Sequence, residues 1–211
     1  MTTTVSIAGE GANRAREALE RCVAGGGVAV FPADTLYGLG CDPSNAAAIE
    51  RIHSLKGRDE GKPSAVMFFA PLAMRELLAT LGPRTRDALG ALLPGPVTLV
   101  VDNPQRRYRL ACRDRPERLG IRLVEGRLAG ARCPLFQTSA NRSGEPAPSR
   151  FEQIGEDILA GANLAIDGGE LLGTPSTVVD LAALDSDGSW SVLREGAMGA
   201  DQIGARLGEP H

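Results

Sequence analysis

Apolar positions fall into two kinds of pattern along this chain. Ala15, Ala18, Leu19, Cys22 and Val23 recur at helical spacing, and the run stops at Gly25-Gly26-Gly27. This predicts a helix over Ala12–Ala24, with Asn13 as its candidate cap. Short continuous apolar runs predict buried strands over Val28–Phe31, Ser64–Ala70, Val97–Asp102, Leu119–Gly126, Leu135–Thr138 and within Asn163–Gly169. Further helices are predicted over Ala46–Leu55, capped by Ser44 or Asn45, and over Leu72–Leu81, Thr85–Leu93 and Phe151–Leu159. A short peripheral helix covers Asp201–Leu207. Beyond Ser176 the pattern reads as two strands joined at Asp187-Gly188, a hairpin. The polar, glycine-containing segment Ala33–Asn45 reads as a loop, and Gly9–Asn13 as a terminal loop. Strands and helices interleave unevenly, so the expected fold is α/β: a mixed sheet with flanking helices, in a single domain over residues 1–211.

Composition narrows the class. A chain of 211 residues with 43% hydrophobic content can bury one sizeable core. A net charge of -3 argues against retention on nucleic acid by bulk charge, while leaving room for a local basic patch. Cys22, Cys41, Cys112 and Cys133 are widely spaced and form no metal-ligand motif, which reads as reduced, mostly buried thiols. The N-terminal stretch has no signal-like apolar run, and no segment reaches the length of a membrane helix. The expected location is the cytoplasm, with no membrane partner.

Candidate chemistry gathers in loops that begin at strand ends: Ala33–Asp42, Lys56–Lys62, Thr138–Gly144 and Thr174–Thr177. Their Ser, Thr, Asn and Gly residues offer hydroxyls and backbone N–H groups to an anion. Lys56 and Lys62 are the chain's two lysines, and Lys56 and Arg58 flank Gly57, so a tight turn can aim two cations at one polyanion. The plain alternative is a solvated charged loop. No Walker A sequence, HExxH or GxSxG elbow is present. His53 reads as a partly exposed helix residue and His211 as incidental, which disfavours a Ser-His-Asp hydrolase. Nine arginines between Arg106 and Arg132, against Asp114, Glu117 and Glu125, form either a solvated loop or a polyanion contact. Arg122 stands inside an apolar strand and needs a partner there, a buried carboxylate or a ligand anion.

Taken together, the segments FPADTLYGLGCDP, RIHSLKGRDEGKPSAVMF, LLPGPVTLV, GIRLVEG, QTSANRSGEPAPS, GGELLGTPSTVVD and VLREG resemble the threonylcarbamoyl-AMP synthases of the YrdC/TsaC type, in the family's order over about residues 25–196. The resemblance implies a YrdC-like fold: an open, twisted, mixed parallel and antiparallel sheet around a central basic cavity. It implies a nucleotidyltransferase that joins L-threonine, bicarbonate and ATP into L-threonylcarbamoyl-adenylate and pyrophosphate. Mg²⁺ accompanies ATP, and no metal ligand is assigned to the protein. A downstream tRNA threonylcarbamoyltransferase complex would pass the group to adenosine 37 of tRNA as t6A, with a weak tRNA contact by this chain. The chain reads as the short, single-domain type, without the extra C-terminal domain of longer relatives.

The family's Lys-x-Arg and Ser-x-Asn signature falls on Lys56, Arg58, Ser139 and Asn141, implied as the catalytic and phosphate-binding set. Thr35, Tyr37 and Arg122 are implied on the threonine and carbamate side, with Leu39 lining the pocket. Ser176, Thr177 and Arg194 are implied on the nucleotide side, with Val178 near the base or ribose. Ala33 stands where the family commonly has threonine, and RLVEGRLAG departs from the family after Arg122. Two other readings remain at this point: a carbamoyl-adenylate-forming enzyme with another acceptor, and a non-catalytic RNA-binding module.

Overall fold

The computed structural model describes residues 1–57 and 63–208. In chain order the elements are β1 (Thr3–Ser6), α1 (Ile7–Glu10), α2 (Ala12–Ala24), β2 (Ala29–Pro32), β3 (Tyr37–Cys41), α3 (Ala46–Lys56), β4 (Ala65–Phe68), α4 (Arg75–Leu78), α5 (Pro83–Leu92), β5 (Val97–Asp102), α6 (Arg109–Cys112), β6 (Arg118–Leu123), β7 (Leu135–Ser139), α7 (Glu156–Gly161), β8 (Leu164–Asp167), β9 (Thr177–Asp180), β10 (Ser191–Arg194) and α8 (Ala200–Leu207). The strands form one ten-stranded sheet in the order β1-β8-β2-β3-β7-β4-β6-β5-β9-β10. Parallel pairs (β1/β8, β2/β8, β4/β6, β5/β9) alternate with antiparallel ones, so the sheet is mixed and open, as expected.

Several sequence expectations are corrected. The glycine-rich stretch read as a loop contains β3, which is buried throughout. Tyr37, Leu39 and Cys41 enter the core on one face, while Gly38 and Gly40 face the Phe31 ring on the other. A Cβ at either glycine would come within 2.9 Å of that ring, so these glycines mark close packing. The N-terminal segment also pairs, as β1 beside β8, and Gly9–Asn13 lies largely in α1 and α2. Asn13 sits inside α2, which begins at Gly11 without a side-chain cap. Asn45 caps α3, its Oδ1 accepting from Ala48 N at 3.0 Å, while the Ser44 hydroxyl donates to Asp42 Oδ1. The helix expected over Leu72–Leu81 is a 3₁₀ turn at Pro71–Met74 running into α4, and the one over Phe151–Leu159 breaks at Gly155. β9 and β10 pair antiparallel, but residues 181–190 join them in place of a tight turn.

Strand alternation divides the buried side chains between the two faces of the sheet. On one face Val30, Leu39, Cys41, Phe136, Val66, Ile121, Leu99 and Val179 enter one core, covered by apolar residues of α3, α5, α6, α7 and α8. On the opposite face α2 covers only the β1-β8-β2 side, through Ala15, Ala18, Leu19 and Val23 packed with Val5, Phe31 and Ile166. Among the described residues no helix layer covers the rest of that second face, and there the cavity opens. His53 belongs to the covered face: it is buried, with its ring 5.9 Å from that of Phe136, rather than partly exposed. The four cysteines are free thiols, two of them buried, in agreement with the sequence reading. Among the described residues no helix is long and apolar enough to cross a membrane.

Candidate active site

The uncovered half of the sheet lines a cavity of about 770 Å³, within the range of small-molecule sites. Its floor is the other half of the alternation: Thr98 and Val100 from β5, Arg118, Gly120 and Arg122 from β6, Ser176, Val178 and Asp180 around β9, and Ala65, Gln137 and Gly38 from the central strands. Small residues keep the floor low. A Cβ on Gly120 would already lie 3.4 Å from Ala65. The wall carries Lys56, Arg115, Arg118, Arg122 and Arg194 against Glu117 and Asp180, so an acidic chain presents a cationic cavity.

The loops singled out in the sequence are joined by main-chain hydrogen bonds. Ser143 N donates to Lys56 O at 2.8 Å, Ala140 N to Tyr37 O at 2.9 Å, and Gly173 N to Thr35 O at 2.9 Å. Lys56 is the last residue of α3, which ends on Gly57 in the left-handed conformation at φ 55°. The lysine is 4% exposed and turns its ammonium inward. It donates to Ser139 O, to Asn141 O at 2.6 Å and to Asn141 Oδ1 at 3.3 Å. Asn141 Nδ2 in turn donates to Arg142 O and Glu145 O. The two halves of the signature thus meet at one buried positive charge, which holds the 139–145 loop. Arg58 and Lys62 lie outside the described residues.

Arg122 finds the carboxylate that its place in a strand demanded, the partly buried Asp34, and it also lines the cavity. Its Nη2 donates to Asp34 Oδ1 at 2.5 Å. Burial pushes its pKa down, opposed by the Asp34 charge and its hydrogen bond, while Arg194 acts in the same sense as burial. On the β9 side, Ser176 Oγ and Thr98 Oγ1 are 2.9 Å apart, and Arg194 Nη2 donates to Ser176 O at 2.8 Å. Among the described residues Arg194 makes no ion pair. Partial burial lowers its pKa.

Thr35, Tyr37, Lys56, Arg122, Ser139, Asn141, Ser176, Val178 and Arg194 line the cavity. Two expected residues do not. Thr177 is fully buried on the core face, where its Oγ1 donates to Met198 O at 2.6 Å and accepts from Met198 N. Leu39 faces the core for the same reason, the two-residue period of its strand. Tyr37 reaches the cavity, but its hydroxyl donates to Gly169 O at 2.8 Å and accepts from Gly168 N at 2.9 Å. Burial pushes its pKa up to about 12.

Sequence reasoning missed Thr98, Gln137 and the Arg118–Asp180 pair, in which Nη1 donates to both carboxylate oxygens at 2.7 Å. A polar residue at alternate positions of an otherwise apolar strand was the available signal. The arginine-rich stretch is divided by the fold. Arg115, Arg118 and Arg122 serve the cavity, whereas Arg107 pairs with Glu76 and Arg132 with Glu20. Among the described residues no group of three or more His, Cys, Asp or Glu side chains forms a metal site. The lining is dominated by cations, hydroxyls and amides; of its two acids, Glu117 and Asp180, the second is already engaged by Arg118, and this set does not fit a resident metal ion.

The Sua5/YciO/YrdC family model, which carries the description "Telomere recombination", matches residues 21–196. A threonylcarbamoyl-AMP synthase from Thiobacillus denitrificans is 36% identical over 165 residues, covering 74% of this chain and 86% of its own length. One from Pyrococcus abyssi is 31% identical over 196 residues, 87% of this chain, and this chain spans 54% of that relative's length. The crystal structure of Pyrococcus abyssi Sua5 complexed with L-threonine aligns over 100% of this chain and 62% of its own, with a TM-score of 0.83 and 27% identity. The matched segment runs from the last turn of α2 through β10 and takes in every strand that floors the cavity: by sequence and by fold, the chain belongs to the Sua5/YciO/YrdC family.

Proposed function

We propose that this protein is an L-threonylcarbamoyladenylate synthase, forming threonylcarbamoyl-AMP and pyrophosphate from L-threonine, bicarbonate and ATP. The observation that carries the reading is the joining of Lys56, Ser139 and Asn141 beside Arg122 in one cationic cavity. The family relationship supports it, since relatives bear this name and one is complexed with L-threonine.

The chemistry asks for charge and position rather than a protein nucleophile. The threonine amine and bicarbonate form a carbamate with loss of water. A carbamate oxygen then bonds to the α-phosphorus as the bond to the β-phosphate oxygen breaks, and pyrophosphate leaves. Arg122 and Thr35 are assigned to threonine, Arg122 through its guanidinium and the substrate carboxylate. Ser176 and Arg194 are assigned to the nucleotide, with the Thr98 hydroxyl orienting Ser176. Lys56, with Arg58, supplies positive charge where negative charge grows on the departing pyrophosphate. Its bonds to Ser139 and Asn141 favour action through the field and the shape of that loop. Mg²⁺ enters as part of the MgATP substrate, held by the phosphates.

The product would serve a tRNA threonylcarbamoyltransferase in the cytoplasm, ending as t6A at position 37. The test is to incubate the protein with MgATP, L-threonine and bicarbonate, identify products by mass and measure pyrophosphate. Threonylcarbamoyl-adenylate that vanishes when threonine or bicarbonate is omitted supports the reading. Adenylate formed only with carbamoyl phosphate, or salt-sensitive RNA binding without any product, overturns it.

A further inference from the structure

The Arg122–Asp34 pair sits at the cavity in an unequal arrangement. Arg122 lines the cavity, whereas Asp34, partly buried, is not part of its lining. The arginine is 4% exposed, and Asp34 engages it through the Nη2 hydrogen bond alone. Among the described residues Nη1 has no hydrogen-bond partner, and Nε is buried without one. A guanidinium offers five donors in a rigid fork, and a bidentate carboxylate is the geometry that fills it. A pair built for stability would be expected to satisfy the fork, as Arg118 and Asp180 come closer to doing. Here the charge is compensated while hydrogen-bonding capacity is left over.

Chain geometry links the pair to the substrate side. Asp34 immediately precedes Thr35, which is 2% exposed and lines the cavity. The two residues lie between β2 and β3, while Arg122 is held in β6 in register with Met67 of β4. One short loop therefore carries both a cavity-lining threonine and the carboxylate that bonds an arginine from another strand.

We propose that Asp34 is a positioning residue: it holds the Arg122 guanidinium at a fixed angle so that the open part of its fork receives the carboxylate of an α-amino acid. The inference rests on the synthase reading and adds to it a residue that does not touch substrate. Asp34 keeps the buried guanidinium from folding back onto other acceptors between turnovers. It also prevents the incoming carboxylate from meeting an arginine of undefined orientation.

The experiment compares wild type, Asp34→Asn and Asp34→Glu by steady-state pyrophosphate release and by calorimetric titration. The ligands are L-threonine, ATP, and L-threoninol, which lacks the carboxylate. Asp34→Asn keeps the shape and removes the charge. It should raise the KM and the Kd for threonine by about tenfold or more, the scale of a hydrogen bond to a charged group. Turnover at saturating threonine and the KM for ATP should stay within about twofold, the signature of lost ground-state positioning. Binding of threoninol should be unaffected. Asp34→Glu retains the buried charge but moves the carboxylate by one methylene. It should weaken threonine alone, by less, which keeps the idea testable should Asp34→Asn fold poorly.

Unchanged threonine affinity in either folded variant overturns the proposal, as does equal weakening of threonine, ATP and threoninol. A wild type that binds threonine without making the adenylate removes the synthase reading and leaves the Asp34 comparison readable by titration. A wild type that binds no threonine overturns both.

Discussion

Replacing Lys56 with methionine tests the junction on which the site is built. The substitution keeps most of the aliphatic stem and removes the ammonium. Lys56 is 4% exposed, and its donors reach Ser139 O, Asn141 O and Asn141 Oδ1. A hydrogen bond to a charged group contributes roughly 1.5–3 kcal/mol. Water from the adjoining cavity can replace part of what is lost, so a net destabilisation of about 3 kcal/mol is a reasonable scale. For a chain of this size each kcal/mol lowers Tm by about 2–4 °C, giving an expected fall of about 6–12 °C. Turnover should fall at least about a hundredfold, the scale of removing one electrostatic stabiliser from a transition state. Calorimetry gives the first quantity and threonine-dependent pyrophosphate release the second. A Tm within about 1 °C of wild type would refute the bridging role, because a buried bridge to this loop cannot be removed without loss. Unchanged turnover would refute the electrostatic role. The buried geometry thus predicts a cost to both stability and rate.

Two further outcomes follow from the packing. Tyr37→Phe removes a hydroxyl that bonds Gly168 N and Gly169 O, and should destabilise by about 1–3 kcal/mol in urea unfolding with little change in the KM for threonine. Because its folded pKa is raised from 10.0 to about 12, the neutral phenol stabilises the fold fully below pH 10.0, and that contribution is lost as pH rises through about 12. Near-ultraviolet titration should therefore show tyrosinate lagging behind the unfolded chain above pH 10.0, and coincident curves would contradict the burial. Gly196→Ala would set a Cβ 2.3 Å from Pro175 O and 2.6 Å from Ser176 C and Thr177 N. It should cost about 1–3 kcal/mol or more in denaturant unfolding and raise the KM for ATP by displacing Ser176, and a neutral effect on both would refute that contact.

The order of elements was legible in the sequence because continuous apolar runs and the helical period of Ala12–Ala24 are local signals. β3 was not legible, because its glycines serve a neighbour, the Phe31 ring, that local pattern cannot show. Loop composition picked out segments that line the cavity, and family resemblance pointed to Lys56, Ser139, Asn141 and Ser176 within them and to Arg122 and Arg194 on strands outside them. The sequence likewise established that Arg122 needs a partner, since a charge inside an apolar strand is costly when unpaired. Tertiary structure alone decided that the partner is Asp34 and that the cavity still has access to the arginine. It alone sorted Ser176 from Thr177, because the face a strand presents is set by register against its neighbours. And it alone made the cavity: five helices cover one face of the sheet and α2 covers only part of the other, and which half stays open depends on where α2 packs.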